Sequence, residues 1–307
     1  MSGRAVRALL SAILGLGLSA GACGSSGGGS PPSGSKGTVN VAGLDSPFPE
    51  SSILANVYGG ALKGDGYTVN YELSLGTRDV VVAAMRRGEV DLYAGYAATD
   101  LEYYDGGRVE ATPDPNQTQS RLNSYLQPRN LEALDPAPAI DTNAFAVLRS
   151  GRYGTYARLS DLVPVADQMT LGGPPACPQR PFCQAGLEKT YGLRFKAFRA
   201  LDASGPLTRA ALDRGDIDAG LVLSSSSAYS TDRYVQLQDD RHLQNAGNVV
   251  PIGRSQVLDA DVTALLNSVS ARLTTDALIQ MNRRSDVDRQ DPGQIAADWL
   301  RSNGFKT

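Results

Sequence analysis

One feature constrains this chain more than any other, and it occurs twice. Residues 85–96 read MRRGEVDLYAGY and residues 212–223 read LDRGDIDAGLVL. Arg, Gly, acid, a β-branched apolar residue and Asp fall in the same order at the same spacing. Each copy follows an alanine-bearing segment of helical periodicity. Gly88 and Gly215 fall where a helix should end, because a residue without Cβ enters the left-handed region at no steric cost. The apolar residues beyond suit a buried strand. The repeated unit is therefore helix, Gly stop, acidic turn, strand. Two such units about half a chain apart predict two similar α/β lobes, with a ligand between them at the strand ends.

The N-terminus predicts export. Arg4 and Arg7 precede an apolar run over residues 8–18. That run is too short to span a membrane and reads as a secretory signal. It closes on Ala20-Gly21-Ala22-Cys23, which resembles a bacterial lipobox, with cleavage before Cys23 and lipid on its thiol. Residues 24–37 are almost all Gly, Ser and Pro, the composition of a flexible tether with a reach of roughly 20 Å. The expected organisation is a signal peptide over 1–22, the lipidated Cys and tether over 23–37, one lobe from 38–142 plus 247–307, and a second from 143–246. The localisation this implies is the outer face of the cell membrane, held there by lipid.

Charge and cysteine content narrow the function further. Loss of residues 1–22 removes two of the 29 basic residues and none of the 32 acids, leaving 27 against 32 and a net charge of −5. An acidic chain disfavours nucleic acid, which needs clustered Lys and Arg. Cys177 and Cys183 flank a five-residue segment containing two prolines. Outside the cytoplasm that spacing predicts a disulfide. Zinc needs about four ligands, and His242 is the single histidine, so no metal or cofactor is expected. Two Gly-x-Ser-x-Gly matches, at 17–21 and 24–28, fall in the signal and the tether. Neither has the strand–turn–helix setting of a nucleophile elbow. His242 beside Asp239 and Asp240 reads as a polar turn. The chain is not expected to be an enzyme.

The rest of the chain alternates strand and helix signals. Strands are predicted over 38–42, 67–73, 92–96, 142–148, 169–172, 195–200 and 248–252. Ser51 or Ser52 is expected to cap a helix running to Lys63, and Thr77 one over 78–87. Backbone N–H groups at such a helix start can receive a carboxylate. Residues 99–107 read as a polar, tyrosine-rich surface segment, and 114–126 as a helix. A short helix opens at residues 160–162, and residues 187–191 lie on another. Ser204 is expected to cap the helix before the second repeat. Asp291-Pro292 opens the last helix. Trp299 in that helix reads as core.

Several motifs in register resemble one family. Residues 186–193, GLEKTYGL, are similar to the "GLxKTYGL" segment of osmoprotectant-binding lipoproteins, the glycine betaine, choline and carnitine receptors of ABC importers. Residues 39–54, with Pro47-Phe48-Pro49-Glu50, resemble their first strand and "NFTE" loop. Residues 89–96 resemble "GEIDIYPEYTG", and residues 237–242 resemble "LxDDKH". The likeness runs from about Val39 to Phe305. It implies a type II periplasmic-binding fold, two α/β lobes closing by hinge motion on a small molecule. It also implies ABC permease and ATPase partners and a monomeric receptor.

The family's ligand chemistry is only partly present. A quaternary ammonium donates no hydrogen bond and is held by aromatic faces. Tyr96 matches one position of the family's tyrosine cage. Ala144 and Leu223 stand where the family has tyrosines, and the helix-start tyrosine near Thr208 is also missing. The expected pocket residues are Phe48, Thr77, Tyr96, Asp141, Asn143, Ser204 and Ser224. Tyr103 and Tyr104 are alternative cage residues. Three readings stay open: an osmoprotectant receptor, a receptor for another polar or aromatic small molecule, and a sensory lipoprotein without an importer.

Overall fold

A computed structural model describes residues 36–44 and 49–307. Cys23, Phe48, the signal and most of the tether lie outside the described residues.

The two repeats build two sheets of one design. The first contains β1 (Thr38–Leu44), β2 (Thr68–Gly76), β3 (Leu92–Tyr96), β4 (Leu131–Ala133) and β10 (Val249–Arg254), in the order β2-β1-β3-β10-β4. The second contains β5 (Phe145–Leu148), β6 (Thr170–Gly173), β7 (Ala197–Ala200), β8 (Ala219–Leu221) and β9 (Tyr234–Leu237), in the order β7-β6-β8-β5-β9. In each sheet a central strand pairs in parallel with two neighbours. The fourth strand then runs antiparallel. In both sheets that antiparallel strand lies next to a point where the chain crosses between sheets, once over 134–144 and once over 238–248.

The repeated residues explain why the sheets match. Helix α2 (Arg78–Arg87) and helix α6 (Pro206–Arg214) end on Gly88 (φ 78°) and Gly215 (φ 70°), both left-handed. The Arg before each Gly clamps the acid after it, Arg87 on Glu89 at 2.7 Å and Arg214 on Asp216 at 2.7 Å. Such exposed pairs contribute about 0–1 kcal/mol each. The Asp that follows has a different job. Asp91 donates its backbone N–H to Asn40 O, and its carboxylate accepts from Asn40 N at 2.9 Å. Asp218 treats Thr170 the same way, at 2.8 Å through its carboxylate. Each motif Asp thereby fixes the register of the strand it opens against the central strand.

Helix α1 (Glu50–Gly64) buries Ile53, Leu54, Val57, Tyr58 and Leu62 on one face of the first sheet, with α7 (Ala260–Ser270), α8 (Thr275–Asp286) and α9 (Pro292–Ser302). Each such aliphatic side chain contributes roughly 1.5–3 kcal/mol by leaving water. Helix α2, α3 (Ala97–Tyr104) and α4 (Pro115–Leu126) cover the other face. Helix α5 (Gln184–Tyr191) and α6 cover opposite faces of the second sheet. Trp299 is half-buried against the first core and stacks on Phe305.

Several local expectations need correction. Residues 97–104 are helix α3 rather than an irregular surface segment. Helix α1 starts at Glu50 after Pro49, with no side-chain cap; Ser51 Oγ instead accepts from Leu44 N. Ser204 does not cap α6. The Asp202 carboxylate does, accepting from Leu207 N and Thr208 N at 2.9 Å. Strands β4, three residues long, and β9, four residues long, are not among the strands the sequence predicts.

Cys177 and Cys183 are disulfide-bonded, with Cα atoms 5.1 Å apart, and both are buried beside α5. Reduction is expected to cost about 2 kcal/mol by loop-closure entropy for so short a loop. A lower thermal midpoint in dithiothreitol, absent in a Cys177→Ser/Cys183→Ser variant, checks this.

Candidate functional site

Two segments of the family-like sequence meet at the end of α5, off the wall of the main cavity. Tyr191, from GLEKTYGL, donates its hydroxyl hydrogen to Asp239 at 2.5 Å, and the same Asp239 carboxylate accepts from Leu243 N and Gln244 N. Arg241 N donates to the Tyr191 hydroxyl at 2.7 Å. The acidic turn around His242 is therefore an architectural brace for α5. Among the described residues, no group of three or more His, Cys, Asp or Glu is placed to hold a metal ion.

The chain crosses between sheets beside a network centred on Ser224. Ile140 and Asn248 form an isolated antiparallel bridge, and Asp141 N donates to Gly247 O. Ser224 Oγ donates to Ile140 O and accepts from Thr142 N, both at 3.0 Å, while Ser224 N donates to Thr142 O. A Cβ on Gly247 would strike Thr142 Cγ2 and the Asp141 carbonyl. The two crossing strands are thus locked to each other and to the residue three positions beyond β8.

Against this crossing lies a cavity of ≈ 320 Å³. Its wall draws on both sheets. Glu50 comes from the start of α1 and Tyr96 from the end of β3. Asp141 comes from the crossing, Ser204 and Arg209 from the start of α6, and Leu223 and Ser225 from beyond β8. Asn282 and Asp286 come from α8, followed by Arg289. Tyr96 Oη donates to Glu50 Oε1. Asn282 Nδ2 donates to Glu50 Oε2 and to Ser225 O. Ser225 Oγ donates to Asp141 Oδ1 at 2.9 Å.

The electrostatics follow from this geometry. Burial, then the neighbouring Glu50 carboxylate, pushes the Asp141 carboxyl up to about 7. Burial, then Glu50 and Asp141, pushes the Tyr96 phenol well above its ordinary value, so Tyr96 stays a neutral donor. Behind Tyr96, the fully buried Asp100 carboxylate accepts from Tyr96 N at 2.7 Å, Tyr93 Oη at 2.7 Å and Arg78 Nε at 2.6 Å. Asp100 fixes where Tyr96 stands.

The expected site residues divide. Tyr96, Asp141 and Ser204 line the cavity together. The Ser204 hydroxyl accepts from Leu223 N at 3.0 Å, and its backbone is left-handed (φ 63°). Asn143 lines an adjoining ≈ 240 Å³ cavity that shares Asp141 and Leu223, and donates to Phe182 O at 3.1 Å. Ser224 is committed to the crossing. Thr77 is exposed and donates its hydroxyl hydrogen to Asp79; it is not on the wall of the main cavity. Tyr103 and Tyr104 pack edge-to-face on each other and are not on that wall either. Sequence reasoning missed Ser225, Asn282, Asp286, Arg209 and Arg289, whose positions carry no local signal. It quoted Glu50 only within a family loop.

Paired α/β sheets of one topology, joined by two crossing strands and enclosing a cavity, define the type II periplasmic-binding class of receptors. The sequence comparisons narrow this to a family. The family described as "Substrate binding domain of ABC-type glycine betaine transport system" matches residues 37–302, and the chain belongs to it. Members are substrate-binding components of transporters, not enzymes. Membership therefore implies a small-molecule ligand, an ABC transporter as partner and an exported protein. The chain is 25% identical over 269 residues to the glycine betaine-binding protein YehZ of Escherichia coli K12, covering 83% of this chain and 88% of that protein. It is 24% identical over 270 residues to a glycine-betaine-binding protein of Pseudomonas aeruginosa, covering 83% and 85%. The apo structure of E. coli YehZ superposes with a TM-score of 0.76 at 22% identity, covering 88% of this chain and 99% of that one. Lactococcal OpuAC, closed on glycine betaine, gives 0.54 at 16% identity over 86% and 95%.

Proposed function

We propose that the mature chain is a receptor lipoprotein, tethered through lipid on Cys23, that captures a small molecule in the cavity beside the crossing strands and delivers it to an ABC permease. The lobes are residues 38–142 with 247–307, and residues 143–246. One observation carries the reading. The cavity wall is assembled from residues of both sheets and of the crossing itself, so hinge motion would open and close it.

Leu223, which borders both cavities, provides the test. Native mass spectrometry of protein purified from its own host should show a small-molecule adduct on the wild type. Leu223→Trp, which fills the cavity, should lose that adduct with little change in thermal midpoint. An adduct that persists in Leu223→Trp places capture elsewhere and removes the proposal. The anchor is tested separately: Cys23→Ala should shift the protein from the membrane fraction to the soluble or medium fraction.

A further inference from the structure

The wall of the main cavity is rich in acceptors and poor in aromatic faces. Among the described residues, Tyr96 is its single aromatic residue, and its hydroxyl is already bonded to Glu50. One ring is a weak host for a methylated ammonium, which depends on several faces. The carboxylates of Glu50 and Asp141 lie on the same wall. Among the described residues, no Lys, Arg or His is ion-paired with either, and the charge that acts most on Asp141 is the like charge of Glu50. A carboxylate pair held largely out of water, with no cation directly paired to it, is costly, and a cation relieves it.

Asn282 gives an independent indication. It is 6% exposed and lines the cavity, and its amide nitrogen is engaged by Glu50 and Ser225 O. Those two acceptors fix the orientation of the amide, because swapping it would set oxygen against oxygen. Its Oδ1 is therefore a further acceptor, and it is buried without a hydrogen-bond partner. Unpaired buried acceptors are rare in folded proteins. The unused capacity of Glu50, Asp141 and Asn282 calls for donors, which a quaternary nitrogen does not have. At ≈ 320 Å³ the cavity also lies at the small end of ligand pockets.

We propose that the ligand carries a positively charged nitrogen bearing N–H groups, a primary or secondary ammonium, seated against Glu50 and Asp141. The proposal rests on the cavity being the capture site. Arg209 and Arg289, on the same wall, suit an anionic group at the far end of such a ligand.

Pairs of compounds that differ in N-methylation test this by calorimetry on the purified protein: methylammonium against tetramethylammonium, ethanolamine against choline, and glycine against glycine betaine. The N–H member of at least one pair is expected to bind tenfold or more tightly than its methylated partner. Asp141→Asn and Glu50→Gln should each weaken that binding at least tenfold, while Leu223→Trp should abolish it. Equal or tighter binding of the methylated members, blocked by Leu223→Trp, would overturn the inference and leave the capture site standing. Binding that ignores Leu223→Trp would sink the capture site and the inference with it, whereas no binding by any of the six would refute the inference and leave the capture site to the adduct test. Undiminished ammonium binding by both carboxylate variants would also refute the inference.

Discussion

Asp100→Ala is expected to lower the unfolding free energy by about 3–5 kcal/mol, the range for breaking a buried ion pair from one side. The carboxylate is fully buried at the start of α3. It neutralises Arg78, accepts from the Tyr93 hydroxyl, and holds the backbone N–H of Tyr96. Removing it leaves a mostly buried guanidinium without its partner and two buried donors without acceptors. Each stranded donor adds a desolvation cost of about 1–3 kcal/mol unless water replaces the partner. Urea unfolding should show a lower midpoint with an unchanged slope. Asp100→Asn, which keeps an acceptor but no charge, should fall between. Because Tyr96 N is one of the three groups held, ligand affinity should fall in the Ala variant even where it is fully folded. A midpoint within experimental error of the wild type would mean that Arg78 and Tyr93 find other partners, and the bracing role given to Asp100 would be wrong.

Asp100 also shows where the sequence was readable and where it was not. The repeat is legible because most of its residues act within a few positions of themselves. Gly88 and Gly215 stop helices, Arg87 and Arg214 clamp acids two residues on, and the apolar run after each makes a strand. The strand-to-strand bonds of Asp91 and Asp218 were hidden, since their partners Asn40 and Thr170 lie far back in the chain. Helix α3 was missed although Ala97, Leu101 and Tyr104 have helical spacing. The polar residues between them, including the buried Asp100, looked like surface. Ser204 was read as a cap because Ser precedes a helix; the capping atoms belong to Asp202, two positions earlier, while Ser204 turns left-handed to bind Leu223 N. The cavity shows the same limit more strongly. Tyr96 matches a cage position of the family, and Asp141 and Ser204 are legible as candidate contacts, but Asn282 and Asp286 sit near the C-terminal end of a polar helix with nothing local to mark them. Their role exists only once α8 is folded against the crossing strands.

The second large effect is a pH dependence whose sign is fixed by Asp141. In the folded protein its carboxyl is pushed up to about 7 from an ordinary 3.8, first by burial and then by Glu50. Between those two pH values the folded state holds a proton that the unfolded chain has released. Stability contributed at this position is therefore lost as pH rises from about 4 to about 7, and the loss is complete above that. At roughly 1.4 kcal/mol per unit the cost reaches on the order of 4 kcal/mol at neutral pH. Tyr96 stays protonated throughout, and Asp286, Arg209 and Arg289 are the other charged groups on the cavity wall. Asp141→Asn keeps an oxygen for the Ser225 hydroxyl and removes the charge. The variant should be more stable than the wild type at pH 8, by several degrees in thermal midpoint, and the difference should shrink toward zero near pH 4. Parallel pH profiles for the two proteins would rule out a buried, uncompensated Asp141. A cation that occupies the cavity should have the same effect on the wild type as the substitution: it should raise the midpoint most above pH 7, and its binding should release a proton when measured near pH 6. The residue that makes the empty protein less stable at neutral pH is thus the one that gives a cation most of its hold, a common exchange of stability for binding.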